Sequence, residues 1–130
     1  MYGCARGYAA TAISDVVEAE HPPIDGGCPL LNAAVETDDS GPAQRALRTR
    51  VRRSMRGLID AVASIITDGV AAKELRRGID AADEAAALIA LMEGAIMLSR
   101  LYDDPSFARA AAQRVITRAQ ELAPTTKAFK

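Results

Sequence analysis

Four groups of residues in this chain have side chains capable of chemistry. Cys28 stands at a bend just before a helix start, where helix N-terminal amides can stabilise a thiolate. A redox-sensing thiol is one reading; a small residue packed into a hinge is the reading its neighbours favour. Only Cys4 accompanies it, too few for a disulfide scaffold and without metal-ligand spacing. His21 is the sole histidine, with Glu18, Glu20 and Asp25 nearby. One histidine and loosely spaced carboxylates make poor metal ligands, so a solvated or capping role is expected. Ser54, Ser64 and Ser99 have no histidine near them in sequence, and no GxSxG or phosphate loop is present. The fourth group is a run of arginines at 45, 48, 52, 53 and 56. It could meet phosphates. No aromatic is interleaved, however, and Asp15, Glu18, Glu36, Asp38 and Asp39 could neutralise it, so a solvated, partly paired face is expected. These residues assign no catalytic, metal, cofactor or DNA-binding site, and the expectation is a protein that is not an enzyme.

The elements that hold these residues are helical. Tyr8 to Glu20 reads as a first helix, with Ile13, Val16 and Val17 on its apolar side. A hinge from Pro22 to Pro29 ends it: two prolines keep the backbone extended, Gly26 and Gly27 allow a sharp bend, and Pro29 suits a first helical turn. A short helix follows from Pro29 to Glu36. An acidic turn leads to Ser40 as the expected cap, with Pro42 in the next first turn. The long helix after it carries Leu47, Val51, Met55, Leu58, Val62, Ile65, Ile66 and Val70 at steps of three and four, the mark of a core-facing stripe.

Asp80 and Asp83 form a weak capping pattern before a helix from Ala81 to Tyr102. This helix is apolar on most sides and must be covered nearly all round, by its own domain or by a partner. Gly94 and Ala95 would allow a neighbouring helix to come close. Its apolar run, Ala85 to Ser99, is interrupted by Glu93 and reads as too short to span a bilayer. Asp103, Asp104 and Pro105 stop it. The last helix has Phe107, Ala111, Val115, Ala119 and Leu122 as its stripe and ends by Pro124.

Composition agrees with this layout. The chain has 130 residues, enough for one domain, and a net charge of −1, which gives no global basic field. Abundant alanine and few aromatics favour close-packed helices over a β-sandwich. The N-terminus does not read as a signal peptide, and the expectation is a soluble cytoplasmic protein.

Two segments together carry a family resemblance: PPIDGGCPLLNAAVETDD at Pro22 to Asp39, and EAAALIALMEGAIMLSRLYDDP at Glu84 to Pro105. With the long helix between them and the amphipathic helix after them, the sequence resembles the C-terminal regulatory domain of TetR-family transcriptional regulators. The resemblance covers Ala12 to Leu122, leaving 1–11 unmatched and 123–130 as a tail. It implies an all-α bundle of about five helices whose last two form a four-helix bundle with the same two helices of a partner.

The resemblance also implies a pocket between the middle helices for a small, usually apolar effector, here assigned to Cys28, Leu31, Met55, Leu58, Val62 and Met92. The dimer interface is assigned to Ile89, Glu93, Ile96, Arg100, Ala111 and Val115. Glu93 and Arg100 could fix register there by pairing across the seam. No segment before Tyr8 matches the helix-turn-helix that begins family members. The expectation is therefore a regulatory domain without its own DNA-binding head, acting as a homodimer or as a heterodimer with a full-length TetR-type protein. Direct DNA binding and membrane association are not expected. A stand-alone helical interaction module with no ligand, and a remnant of a truncated reading frame, are the alternatives.

Overall fold

Proline, glycine and aspartate set the helix boundaries in this chain, and the computed structural model describes the result for residues 27–37 and 40–124. Four helices follow one another: α1 Pro29–Glu36, α2 Pro42–Ala71, α3 Ala81–Tyr102 and α4 Ser106–Glu121. Among the described residues all regular structure is helical. The expected helix at Tyr8 to Glu20 lies outside them, as does His21.

Local chemistry accounts for each start. Pro29 and Pro42 sit in the first turns of α1 and α2, where a missing N–H leaves no bond unmade. The cap of α2 is Gly41 in extended conformation rather than Ser40, because Pro42 already occupies the first helical position. Asp80 caps α3 with one carboxylate oxygen, which accepts from the Ala82 and Asp83 amides at 3.1 and 3.0 Å. That satisfies two of the donors a helix leaves open at its N-terminus. Before α4, whose cap is Pro105, Asp104 accepts one bond, from the Ser106 amide at 2.8 Å.

The chain also closes its helix ends. After α2, Lys73 takes a left-handed conformation and the Glu74 and Leu75 amides both return to the Gly69 carbonyl. The loop is then tied to the end of α4 by the Arg76 amide, which donates to Leu122 O at 2.8 Å. Asp103, also left-handed, ends α3.

Packing runs in sequence order: α1 on α2, α2 on α3, α3 on α4. The core is thin and rich in alanine. Val51, Ile66, Ala85, Ala95, Ala111, Ala112 and Leu122 are buried, but among the described residues no large side chain is fully so. The stripe on α2 is wider than its cover: Val51 and Ile66 are inside, while Leu47, Leu58 and Ile65 lie exposed along one edge. On α4, Ala112 is buried and Ala119 is exposed.

Two polar contacts lock α4 to α3. Ser99, buried in α3, accepts the Ala108 amide at 3.1 Å. Glu84, near the start of α3, receives both Nε and Nη2 of Arg118 at 2.8 and 2.7 Å. This two-pronged pair holds the Glu84 carboxyl below its ordinary pKa, with the Arg118 hydrogen bonds as the leading cause, and raises the Arg118 guanidinium above its own.

The α3 helix is longer than its apolar run. At 22 residues it is long and apolar enough to cross a membrane by length and composition, and little of it is buried within the chain. Its fit among α2 and α4 accounts for one side only.

Two outcomes test this packing. Ala85 has no exposed surface, so Ala85→Leu should destabilise the fold by about 1–3 kcal/mol in denaturant unfolding. The Glu84–Arg118 pair should contribute stability above the ordinary glutamate pKa of 4.5, and this should fade as pH falls through the lower folded value. Melting temperatures measured across acid pH should therefore converge for wild type and Glu84→Gln, with wild type higher at neutral pH.

Candidate functional site

Gly27 sets the entrance to α1. Its φ of +80° suits glycine, and a Cβ there would lie 2.6 Å from Cδ of Arg100. The hinge therefore brings the start of α1 directly onto α3. Arg100 crosses over Gly27 and donates to Asn32 Oδ1 at 3.4 Å. Two turns earlier on the same side of α3, Glu93 faces the Cys28 thiol.

Burial pushes the Cys28 thiol above its ordinary pKa of 9.0. The Leu31 and Leu30 amides at the start of α1 pull the other way, and the Glu93 carboxyl adds to the rise. The helix N-terminus thus fails to make a thiolate here, because burial and a neighbouring acid outweigh its amides. Cys28 is a half-buried hinge residue whose surroundings favour the neutral thiol.

The residues expected to line a pocket are compatible with a shared interior side. Cys28, Leu31, Met55, Val62 and Met92 are half-buried, and Leu58 stands at the rim at 38% exposure. The residues expected at a dimer seam differ in exposure within the single chain. Ile89, Glu93, Ile96 and Val115 are half-buried, Ala111 is buried at 4% exposure, and Arg100, although exposed, is engaged with α1.

The outward side of α3 carries a different set. Asp83, Ala87, Ala90, Gly94, Met97 and Leu101 follow alternating steps of four and three, the spacing of a coiled-coil seam. Met97 and Leu101 are 49% and 70% exposed, and a Cβ added at Gly94 would meet nothing within 4 Å. Ala95, expected to share the close approach with Gly94, is buried inside the chain. Periodicity alone could not find this face, because α3 is apolar on nearly every side.

The remaining candidates have structural duties. A recess between the 72–80 loop, α3 and α4 is lined by charged residues already engaged, including Asp80, Glu84 and Arg118. Ser54 and Ser64 are exposed on α2, while Ser99 bonds α4. Of the arginine run, Arg45, Arg52, Arg53 and Arg56 are exposed and Arg48 is half-buried; Arg45 and Arg48 both make interactions. Among the described residues no group of three or more His, Cys, Asp or Glu could hold a metal.

Comparison with known proteins gives a consistent result. Residues 9–115 match a family model described as tetracyclin repressor-like, C-terminal domain. A TetR transcriptional regulator from Chloroflexus aurantiacus J-10-FL is 35% identical, with a TM-score of 0.73 over 88% of this chain and 59% of that one. A TetR-family regulator from Cytophaga hutchinsonii shares the fold at 24% identity, with a TM-score of 0.71 over 94% of this chain and 69% of that one. The chain thus spans 59% of the length of the Chloroflexus protein. Among curated proteins, none matches the chain.

The surroundings of Cys28 predict its titration. In a Cys4→Ser background, alkylation of Cys28 should reach half its limiting rate above pH 9.0, and Glu93→Gln should lower that midpoint. A midpoint at or below 9.0 in the parent would contradict the site as described.

Proposed function

The chain belongs to the family of tetracyclin repressor-like C-terminal domains, and on that premise we propose that it is the effector-binding and dimerisation domain of a TetR-type transcriptional regulator. The observation that carries this reading is the open seam on α3. Six positions at heptad spacing stand outward, small in the middle and apolar toward the C-terminal end. A second copy laid against them buries Met97 and Leu101, side chains each worth roughly 1.5–3 kcal/mol when fully removed from water. Gly94 lets the two helix backbones approach. With α4 beside α3 in each protomer, the assembly is a four-helix bundle.

The same face would accept a full-length TetR-type protein as a heterodimer partner. The effector belongs on the other side of α3, among Cys28, Leu31, Met55, Leu58, Val62 and Met92. Such a site has the mostly apolar wall and few polar groups common to small-molecule pockets. Because α3 serves the pocket with one side and the seam with the other, an effector that moves α3 also changes how the protomers meet. In this proposal the four helices sense and pair; they do not read the operator.

Gly94→Leu separates this reading from its alternatives. An added Cβ meets nothing within 4 Å in the single chain, and leucine is a better helix former than the glycine it replaces, so the protomer should keep its helicity. At the seam it blocks the close approach. Light scattering should give twice the chain mass for wild type and the single-chain mass for Gly94→Leu, with equal circular dichroism. A wild-type monomer, or a variant that remains dimeric, would overturn the proposed seam.

A further inference from the structure

Glu93 is the only charged residue between Ala85 and Ser99 in α3, and its Oε2 is buried with no hydrogen-bond partner among the described residues. A carboxylate oxygen removed from water without a donor is costly, so a residue of this kind implies something that donates to it. Among the described residues the fold offers little beyond a hydrogen bond from the Cys28 thiol. The Cys28 thiol faces the carboxyl from the start of α1. The next cation along that side of α3, Arg100, is directed to Asn32 and across Gly27. The other buried side-chain atom without a partner, Gln44 Oε1, is an acceptor too, so the described interior is short of donors rather than acceptors.

From this we infer that Glu93 is the polar anchor of the effector pocket, and that the effector carries an ammonium or other donating nitrogen on an apolar body. The inference rests on the effector-binding reading above and names the ligand class for that site. A cationic nitrogen fits better than a hydroxyl, because a charge-assisted hydrogen bond to a carboxylate is shorter and about twice as strong as a neutral one. An anionic ligand is disfavoured by repulsion from the same carboxylate. Apolar neighbours such as Leu31 and Met92 fit a hydrocarbon body. The carboxylate then selects the ligand by charge while those walls supply most of the burial.

Three probes of equal chain length test this: hexylamine, 1-hexanol and hexanoate, each titrated at neutral pH with melting temperature and calorimetric binding as readouts. Hexylammonium should bind wild type about tenfold more tightly than hexanol, with hexanoate weakest, as expected for one charge-assisted bond. Glu93→Gln should erase the preference for the amine. Glu93→Met, which removes the unpartnered carboxylate at similar volume, should melt at or above the wild-type temperature without any probe. Hexanol or hexanoate binding as well as the amine, or an amine preference that survives Glu93→Gln, would overturn the assignment of Glu93 and leave effector binding standing. A marked fall in the melting temperature of Glu93→Met would overturn it too, since the carboxylate would then be held by the fold. Absence of binding by all three probes to wild type would contradict effector binding itself, and this inference with it.

Discussion

The structure turns on one constraint: α3 is apolar on more sides than α1, α2 and α4 cover. Its inward side packs Ala85, Ala95 and Ser99 against neighbours, while Met97 and Leu101 remain in solvent on the other. A helix of this kind is stable in water only when a further surface meets it. The rest of the core does not compensate. Its buried residues are largely alanines, each removing little area from water, and no large side chain among the described residues is fully enclosed. Close helix packing is what such residues allow, and the Glu84–Arg118 pair and the Ser99–Ala108 bond fix α4 in place where apolar burial is modest.

The same constraint orders the functional reading. One side of α3 is fastened to α1 through Gly27, Arg100, Asn32 and the facing pair Cys28 and Glu93. The opposite side leaves Met97 and Leu101 exposed, and the proposed partner meets them there. In the proposed function a helix between two such surfaces acts as a lever, because interfaces switch between discrete arrangements rather than deform smoothly. Glu93 then gains meaning from its position: a single acid in an apolar run is a liability to the fold unless the pocket side gives it a partner.

Much of this was legible in the sequence, and the reason is local. The bounds of α1 and α3 follow from Pro29, Asp80 and Asp103, residues whose backbone preferences act within one or two positions. The cap of α2 shifted by one residue, from Ser40 to Gly41, where two adjacent residues were both competent to precede Pro42. The family, too, was readable from the Pro22 to Asp39 and Glu84 to Pro105 segments, and the match over residues 9–115 bears out that recognition. Facing was not legible. With alanine and large apolar residues distributed around α3, periodicity gives no phase, so the sequence does not separate half-buried positions such as Ile89, Glu93 and Ile96 from exposed ones such as Met97 and Leu101. The burial of Cys28 beside Glu93 was equally hidden, because the two are far apart in sequence and meet only through the bend at Gly27.

Disulfide trapping at the outward face of α3 addresses the central claim most directly. A cysteine pair bridges only when its Cα atoms come within about 7 Å. In a background lacking Cys4 and Cys28, single cysteines at Ala87, Ala90, Met97 and Leu101 would be oxidised and compared with one at exposed Ser54 on α2. The account predicts covalent dimers from one or more positions of the α3 set and none from Ser54. Cross-linking as fast from Ser54 as from the α3 positions, or no covalent dimer from any of the four, would contradict it.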